Sequence, residues 1–430
     1  MNYYSLNKQA PYTTFKDAVI RGLAPDKGLY FPETITPLPA SFFEDIGQLS
    51  YETIAFEAIK QFVVPDIPAS ILKTIIADTL SFDFPVIPIT DNIATLELFH
   101  GPTMAFKDVG ARFMARCLGY FNENNTNDVT VLVATSGDTG GAVAHGFLNV
   151  KGINVVILYP SGKVSHIQEM QLTTLGHNIT ALEVDGTFDD CQAMVKTAFL
   201  DAELCNHMQL TSANSINVAR WLPQLFYFMF AYKQLHKTHK ELVFSVPSGN
   251  FGNVCAGMMA QQLGLPVKHF IAANNANNVV TRYLKDAIYQ PHPSVQTISN
   301  AMDVGDPSNF VRIQEIYKNS FTTIQEHLSS YSFTDTQTQD ALLELYSQYN
   351  YVADPHGAVG YLGCKAYLKE NPRAYTVFLE TAHPTKFLNI VEEVINQKQP
   401  LPPQIQAVMG KEKVAIHIST YGDLKTFLMR

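Results

Sequence analysis

Residues 129–200 alternate between two kinds of segment, and this alternation limits the possible fold more than any other feature of the sequence. The segment 129–134 is a continuous run rich in β-branched residues, as expected of a buried parallel strand. Similar runs at 154–158 and 179–184 are each followed by a segment with helical spacing. Successive strand–helix units of this kind predict a parallel sheet with helices on its faces.

The rest of the chain divides around these units. Helical spacing at 51–63 and 69–80 predicts a mainly helical N-terminal subdomain over residues 1–82. Residues 83–205 are expected to form a small α/β domain and residues 206–430 a large one. The proline-containing stretch 83–91 is predicted to be an extended linker. Further strands are expected at 242–246, 267–272 and 375–379.

Composition and charge exclude several classes of protein. Of the 430 residues, 46% are hydrophobic and 16% charged, which argues against disorder. The net charge is −9 and no Lys/Arg run reaches five, so nucleic-acid or anionic-membrane binding is not expected. No run of about 18 apolar residues predicts a membrane span. The five scattered cysteines lack metal-site spacing, so no metal is predicted. With no signal-peptide pattern, they suit a cytoplasmic location.

Three loops at predicted strand ends carry polar residues, where open parallel sheets bind their ligands. The loops TSGDTGG (135–141) and SGNFGN (248–253) offer backbone N–H groups at a helix start, which suits an anion. The second is the better phosphate cup. The loop ETAHP (380–384) places the Thr381 hydroxyl where it could meet a ring nitrogen. Glycine-rich turns are also common for purely steric reasons, and neither glycine loop matches a dinucleotide or NTP motif.

Lys107 lies where the loop HGPTMAFKD (100–108) opens into a predicted helix. The helix dipole and apolar neighbours disfavour an ammonium there, so a lowered pKa and a nucleophilic amine are expected. An isolated lysine in such a loop is, however, more often a surface residue. His100, His356 and His383 could act as bases, although lone histidines are more often structural.

An imine-forming lysine, a phosphate cup, a second anion loop and a ring-nitrogen partner together make up a pyridoxal phosphate site. The sequence also resembles the threonine synthase family in its bacterial and fungal form. The motifs that carry the resemblance run in family order from about residue 10 to 395. They are GLAPDKGLYFP, HGPTMAFKD, ATSGDTGGAVAH, SANSINVARW, VPSGNFGN, NAMDVGDPSN and TAHPTKF.

This resemblance implies the tryptophan-synthase-β-like (fold type II) class of pyridoxal phosphate enzymes, with two α/β domains. Lys107 would carry pyridoxal 5'-phosphate as an internal aldimine, and Thr381 would face the pyridine nitrogen. The cofactor phosphate would be held by Ser248, Gly249, Asn250, Phe251, Gly252 and Asn253, the last of which is often Asp in the family. The substrate carboxylate would contact Thr135, Ser136, Gly137, Asp138 and Thr139. The substrate phosphate would contact Ser212, Asn214, Asn217 and Arg220, with Lys163 a weaker candidate.

Two of these residues keep other interpretations open. Asp138 stands before a helix and can simply be a cap. Arg220 is the only cation of its loop and a guanidinium fits phosphate bidentately, but it can also be a helix-surface arginine.

The implied enzyme is a carbon–oxygen lyase that converts O-phospho-L-homoserine and water to L-threonine and phosphate. It acts by γ-elimination followed by water addition at Cβ. The alternatives are a serine/threonine dehydratase, a phospholyase or a non-catalytic binding protein on the same fold. A dehydratase needs no second phosphate site, so the 212–220 loop argues against it, whereas a phospholyase would keep that site. The expected partner is a small-molecule substrate, and the chain is expected to be a monomer or homodimer.

Overall fold

Two sheets with mainly parallel strands organise the chain. The computed structural model describes residues 1–123, 128–237 and 241–430. In chain order the strands are β1 (Tyr3–Ser5), β2 (Tyr30–Pro32), β3 (Val86–Thr90), β4 (Ile93–Glu97), β5 (Val129–Ala134), β6 (Ile153–Pro160), β7 (Ile179–Val184), β8 (Gln209–Thr211), β9 (Leu242–Pro247), β10 (His269–Asn274), β11 (Leu328–Ser332), β12 (Tyr375–Glu380) and β13 (Ile416–Ile418).

The helices cover the faces of these sheets and form the N-terminal region. They are α1 (Phe15–Arg21), α2 (Ala40–Glu44), α3 (Tyr51–Val63), α4 (Ala69–Thr79), α5 (Lys107–Asn122), α6 (Asp138–Phe147), α7 (His166–Thr173), α8 (Phe188–Leu200), α9 (Ala202–His207), α10 (Val218–Trp221), α11 (Leu225–Leu235), α12 (Gly252–Gln262), α13 (Val279–Asp286), α14 (Phe310–Ile316), α15 (Phe321–His327), α16 (Asp335–Tyr349), α17 (Pro355–Leu368), α18 (Leu388–Ile395), α19 (Pro403–Met409) and α20 (Tyr421–Leu428). Short 3-10 turns span Ile46–Gln48, Leu222–Gln224, Asn300–Met302 and Pro384–Phe387.

The larger sheet has the strand order β11-β10-β9-β12-β4-β3, and the smaller has the order β13-β7-β6-β5-β8. Within these two sheets the described neighbours are parallel except β3, which pairs antiparallel with β4 at the edge of the larger sheet. Strands β1 and β2 form a separate antiparallel pair. Strands such as β5 and β9 are buried along their whole length. That burial on both faces explains their continuous apolar sequence.

The prediction of a linker at 83–91 is wrong for the central residues of that stretch, because Val86–Thr90 forms the edge strand β3. Pro88 misled the prediction. It is exposed in the strand, and an edge strand tolerates a residue that has no N–H to donate. Local sequence patterns gave no sign of this pairing with β4.

The predicted domain boundaries at 82/83 and 205/206 do not coincide with membership of the two sheets. Strands β3 and β4 precede the small-sheet strands in the chain but belong to the larger sheet, whereas β8 and β13 come after residue 205 and complete the smaller one. The chain therefore crosses between the sheets more often than a consecutive division allows.

Several predicted helices agree closely with the structure because their ends carry capping residues. Helix α3 begins after Ser50, whose side chain accepts the Thr53 N–H, and α8 begins with a capping box formed by Thr187 and Asp190. Helices α13–α15 were not predicted, since each has seven or eight residues, too few for a clear apolar period.

Helix α5, which begins at Lys107, lies where the N-terminal helices meet the body of the protein. It packs against α4 and α6, while α11 packs against α3 and α12. Within the described ranges, no helix is both long and apolar enough to cross a membrane.

Candidate functional site

The loop before Lys107 is fixed to the end of β12 by backbone hydrogen bonds. The Phe106 N–H donates to Thr381 O at 2.8 Å, and the His383 N–H donates to Met104 O at 3.0 Å. Asp108 fixes the other side of the loop, because its Oδ2 accepts the Thr103 N–H at 2.9 Å. The first residue of α5 is therefore held beside Thr381, as the site hypothesis requires.

Lys107 has a lowered pKa, in line with the sequence prediction. Burial is the largest cause and lowers the pKa to about 8, even though part of the side chain stays accessible to solvent. That value of about 8 already includes the effect of Asp138, which raises the pKa, and those of Arg220 and Lys386, which lower it. A lysine with this pKa is neutral in a useful fraction of molecules near pH 7 and can act as a nucleophile or base.

The loop between β9 and α12 forms a cup of backbone donors. The five successive N–H groups of residues 249–253 find no acceptor in the described part of the chain. Phe251 makes the turn with a left-handed backbone (φ 61°). A Cβ on Gly249 would lie 2.7 Å from Met302 Cα, so glycine is required there. A row of unpaired N–H groups at a helix start is a binding site for an anion such as phosphate.

Polar side chains of this loop shape the cup and leave the backbone donors to a ligand. Asn250 donates through Nδ2 to Ser215 Oγ at 2.9 Å and accepts the Ser308 N–H at 2.6 Å. Asn253 donates through Nδ2 to Pro247 O at 2.8 Å, across the mouth of the strand–helix turn. The Ser248 hydroxyl donates to Val246 O at 2.8 Å.

The loop that follows β5 contains residues that hold the loop in shape and residues whose polar groups are free to bind a ligand. Thr135 shapes it, because Thr135 Oγ1 accepts the N–H groups of Gly137 at 3.0 Å and Gly140 at 2.8 Å. Ser136 and Thr139 are partly exposed, and neither their hydroxyls nor their N–H groups have a partner among the described residues. These two residues can therefore bind a carboxylate, whereas Thr135 and Gly137 support the loop.

Asp138 carries negative charge in the same loop. Burial alone would raise its pKa, but Lys386 and Lys107 outweigh burial and hold the pKa of Asp138 well below its usual range. Gln168 Nε2 donates to Asp138 Oδ1 at 2.9 Å, and no N–H of the first helical turn donates to the Asp138 side chain. Asp138 is therefore an ion-paired carboxylate and does not cap the helix.

Among the residues predicted to bind a substrate phosphate, Asn217 is ruled out by its hydrogen bonds. Its Nδ2 donates to Val19 O at 2.9 Å and to Ser212 O at 3.1 Å, and its Oδ1 accepts the Ala219 N–H. No donor is left for an anion, so Asn217 holds the loop together. Ser212 and Asn214 bond to each other, and Asn214 also donates to Ala134 O.

Arg220 is the strongest remaining candidate for binding a second anion. The interpretation as a surface arginine is wrong, because the side chain is buried, and burial lowers its pKa to about 10. Its Nη1 donates to Ala213 O and its Nε has no partner. Asp108 acts on the guanidinium electrostatically but, among the described residues, no carboxylate forms an ion pair with it. A buried guanidinium without a directly bound carboxylate favours an anionic ligand. Lys163 is exposed and lies near Asp190.

The three histidines considered as bases all have protein partners. His356 contacts Asp354 through Nδ1 and accepts the Ala301 N–H at Nε2, and His100 pairs with Glu97. His383 accepts the Thr385 N–H at Nδ1, and burial lowers its pKa to about 4. These contacts are those of structural histidines.

Sequence reasoning missed one charged residue of the site. Lys386 belongs to the motif TAHPTKF, and its Nζ lies 2.7 Å from Asp138 Oδ1. Membership of that motif was the only signal that could have drawn attention to it.

Comparison with known proteins identifies the family. A family model described as "Pyridoxal-phosphate dependent enzyme" matches residues 92–381. Models for the threonine synthase N terminus and C-terminal region match residues 2–80 and 357–427. The chain belongs to the threonine synthase family.

Similar members of the threonine synthase family match over the whole chain. A threonine synthase of Serratia marcescens is 41% identical and covers 100% of this chain and 99% of its own. The crystal structure of the Escherichia coli threonine synthase is 40% identical, with a TM-score of 0.94 and the same two coverages. A pyridoxal-phosphate-bound threonine synthase from Brucella melitensis is 32% identical over 100% of this chain and 99% of that one, with a TM-score of 0.93. The predicted fold class is confirmed.

Like other threonine synthases, this chain is a pyridoxal-phosphate-dependent enzyme. The residues present fit the cofactor: the five N–H groups of 249–253 suit its phosphate, and Lys107 suits its aldehyde. The Thr381 hydroxyl has no partner in the described residues and can meet a ring nitrogen.

Proposed function

We propose that the enzyme converts O-phospho-L-homoserine and water into L-threonine and phosphate. One observation carries this proposal: a lysine of lowered pKa is accompanied by two separate groups that suit anions, the backbone cup at 249–253 and the buried guanidinium of Arg220. The cup suffices for the cofactor phosphate, and Ser136 and Thr139 are available for a substrate carboxylate. Arg220 therefore favours a substrate that carries a phosphate as well.

Each residue has a role in this reaction. The cup at 249–253 would hold the cofactor phosphate through its N–H groups, and Thr381 would donate to or accept from the ring nitrogen. Because a neutral hydroxyl does not stabilise a protonated ring nitrogen as a carboxylate would, that nitrogen would more often stay unprotonated. Ser136 and Thr139 would bind the substrate carboxylate, and Arg220 would bind the substrate phosphate bidentately.

Lys107 would move the protons. Bound pyridoxal phosphate supplies an electron sink for negative charge on the attached amino acid. With substrate bound, the neutral amine of Lys107 would take the proton from Cα and then move a proton at Cβ. A pKa near 8 suits both tasks, since the group must accept and return a proton near neutral pH.

The decisive experiment measures phosphate release from O-phospho-L-homoserine and identifies the amino-acid product. L-Threonine supports the proposal. A keto acid with ammonia would instead indicate a dehydratase or phospholyase, and absence of turnover in a chain that holds the cofactor would indicate a binding protein. The cytoplasmic location and the monomeric or dimeric state stay predictions.

A further inference from the structure

A buried ion pair joins the two sheets beside Lys107. Lys386 lies in the 3-10 turn that follows β12 of the larger sheet, and Asp138 begins α6 after β5 of the smaller one. The Lys386 Nζ lies 2.7 Å from Asp138 Oδ1 and donates to Thr103 O at 2.9 Å. The two residues are 1% and 6% exposed.

Such a pair needs an explanation other than stability. Removing two charges from water costs as much as their attraction returns in many buried pairs, so apolar residues would serve the fold equally well. Through its hydrogen bond to Thr103 O, Lys386 also contacts the loop that ends at Lys107. The ion pair therefore lies next to the reactive lysine.

Lys107 interacts electrostatically with charged groups on three other elements. Asp138 lies on α6, Arg220 on α10, and Lys386 on the turn after β12. Asp138 is the only anion among these three groups. Lys386 and Lys107 are the two cations that act on the Asp138 carboxylate, so without Lys386 that carboxylate would interact with Lys107 alone of the two.

We propose that Lys386 is a positioning residue whose ammonium engages the carboxylate of Asp138 and so prevents that carboxylate from becoming the counter-ion of Lys107. This role deepens the proposed function, because a lysine paired with a carboxylate stays protonated and cannot serve as nucleophile or base. The roles differ accordingly: Lys107 reacts, whereas Lys386 acts on it by neutralising Asp138 and by its own positive charge.

The test measures how readily Lys107 reacts at each pH. The full chain, freed of cofactor, is treated briefly with acetic anhydride between pH 6 and 10, and acetylation of Lys107 is quantified by mass spectrometry. The midpoint of the labelling curve is the pH at which acetylation of Lys107 is half-maximal. In Lys386→Met this midpoint should move to higher pH, and labelling at pH 7 should fall about tenfold for each pH unit of that shift. Lys386→Arg, which keeps the charge, should label like the native chain.

A second pair of variants separates this role from a structural one. Asp138→Asn removes the anion, so its midpoint should lie below the native one. The double variant Asp138→Asn/Lys386→Met should return towards the native midpoint. Lys365→Met is the matched control, because it breaks the more exposed pair of Lys365 with Glu344 and should leave Lys107 labelling unchanged.

Two results would overturn the proposal: a native midpoint in folded Lys386→Met, or a double variant as shifted as Lys386→Met alone. Should Lys386→Met fail to fold, Asp138→Asn decides, and a native midpoint in that variant refutes the role. No substrate is present, so the result is independent of the assay that tests the proposed function.

Discussion

Gly249 is the position at which one methyl group tests the anion cup most directly. A Cβ there would lie 2.7 Å from Met302 Cα and 2.9 Å from Ala301 O, both backbone atoms. Because a backbone cannot rotate away as a side chain can, either the cup or the 300–302 turn must move. Overpacking of this kind costs about 1–3 kcal/mol.

The displacement should weaken cofactor binding. A moved cup no longer directs all five N–H groups at one phosphate, and each hydrogen bond to a charged group contributes roughly 1.5–3 kcal/mol. Loss of one such bond corresponds to a Kd about 10- to 150-fold higher. We therefore expect Gly249→Ala to bind pyridoxal phosphate at least about tenfold more weakly than the native chain.

The assay is an equilibrium titration of the cofactor-free chain with pyridoxal phosphate, together with urea unfolding. Gly410→Ala is the matched control, since a Cβ at that position meets nothing within 4 Å and φ is −90°. The control should keep native affinity. Native affinity in Gly249→Ala would refute the reasoning about the cup, whether or not the variant lost stability.

The remaining predictions concern the second anion group, the loop that supports it and the titration of the lysine. Arg220→Met should raise KM for a phosphorylated substrate roughly 10- to 100-fold, because a charge-assisted bond is lost, while cofactor affinity stays native; an unchanged KM contradicts the assignment. Asn217→Ala should lower the free energy of unfolding by about 1–3 kcal/mol, since it removes the buried hydrogen bonds of the Asn217 side chain, and urea denaturation measures this. The pKa of Lys107, about 8, lies below the ordinary lysine value. The unfolded cofactor-free chain therefore binds more protons, and stability should rise with pH from about 8 to about 10.4. Lys107→Met should lack that rise in urea midpoints, and an equal rise in both chains would show that Lys107 is not its source.

Residues whose role depends on local backbone could be predicted from the sequence. The cup at 248–253 and the helix that begins at Lys107 follow from glycine placement and apolar spacing, which act over a few residues. The lowered pKa of Lys107 was expected from the helix dipole and the apolar neighbours, and burial is its largest cause.

Residues whose role depends on distant partners could not be predicted. In the sequence, Asn217 has the properties of a ligand-binding amide. In the structure its Nδ2 donates a hydrogen bond to the carbonyl of Val19, which lies 198 residues earlier in the chain. Nothing in the sequence near Lys386 shows that its amine pairs with Asp138, because the two residues are far apart in the chain. Strand β3 was hidden because only its pairing with β4 makes Val86–Thr90 part of a sheet.

The position of β12 in the chain also determines when, during translation, the cofactor site can form. This strand lies between β9 and β4 in the larger sheet, yet it is formed by residues 375–380, long after both neighbours in the chain. The hydrogen bonds that hold the lysine loop reach Thr381 and His383. A chain that emerges from the ribosome N-terminus first thus carries its reactive lysine through most of translation before that lysine has its final surroundings. Cofactor capture in the native geometry must therefore follow synthesis of residue 383, and a nascent chain arrested earlier should not hold it.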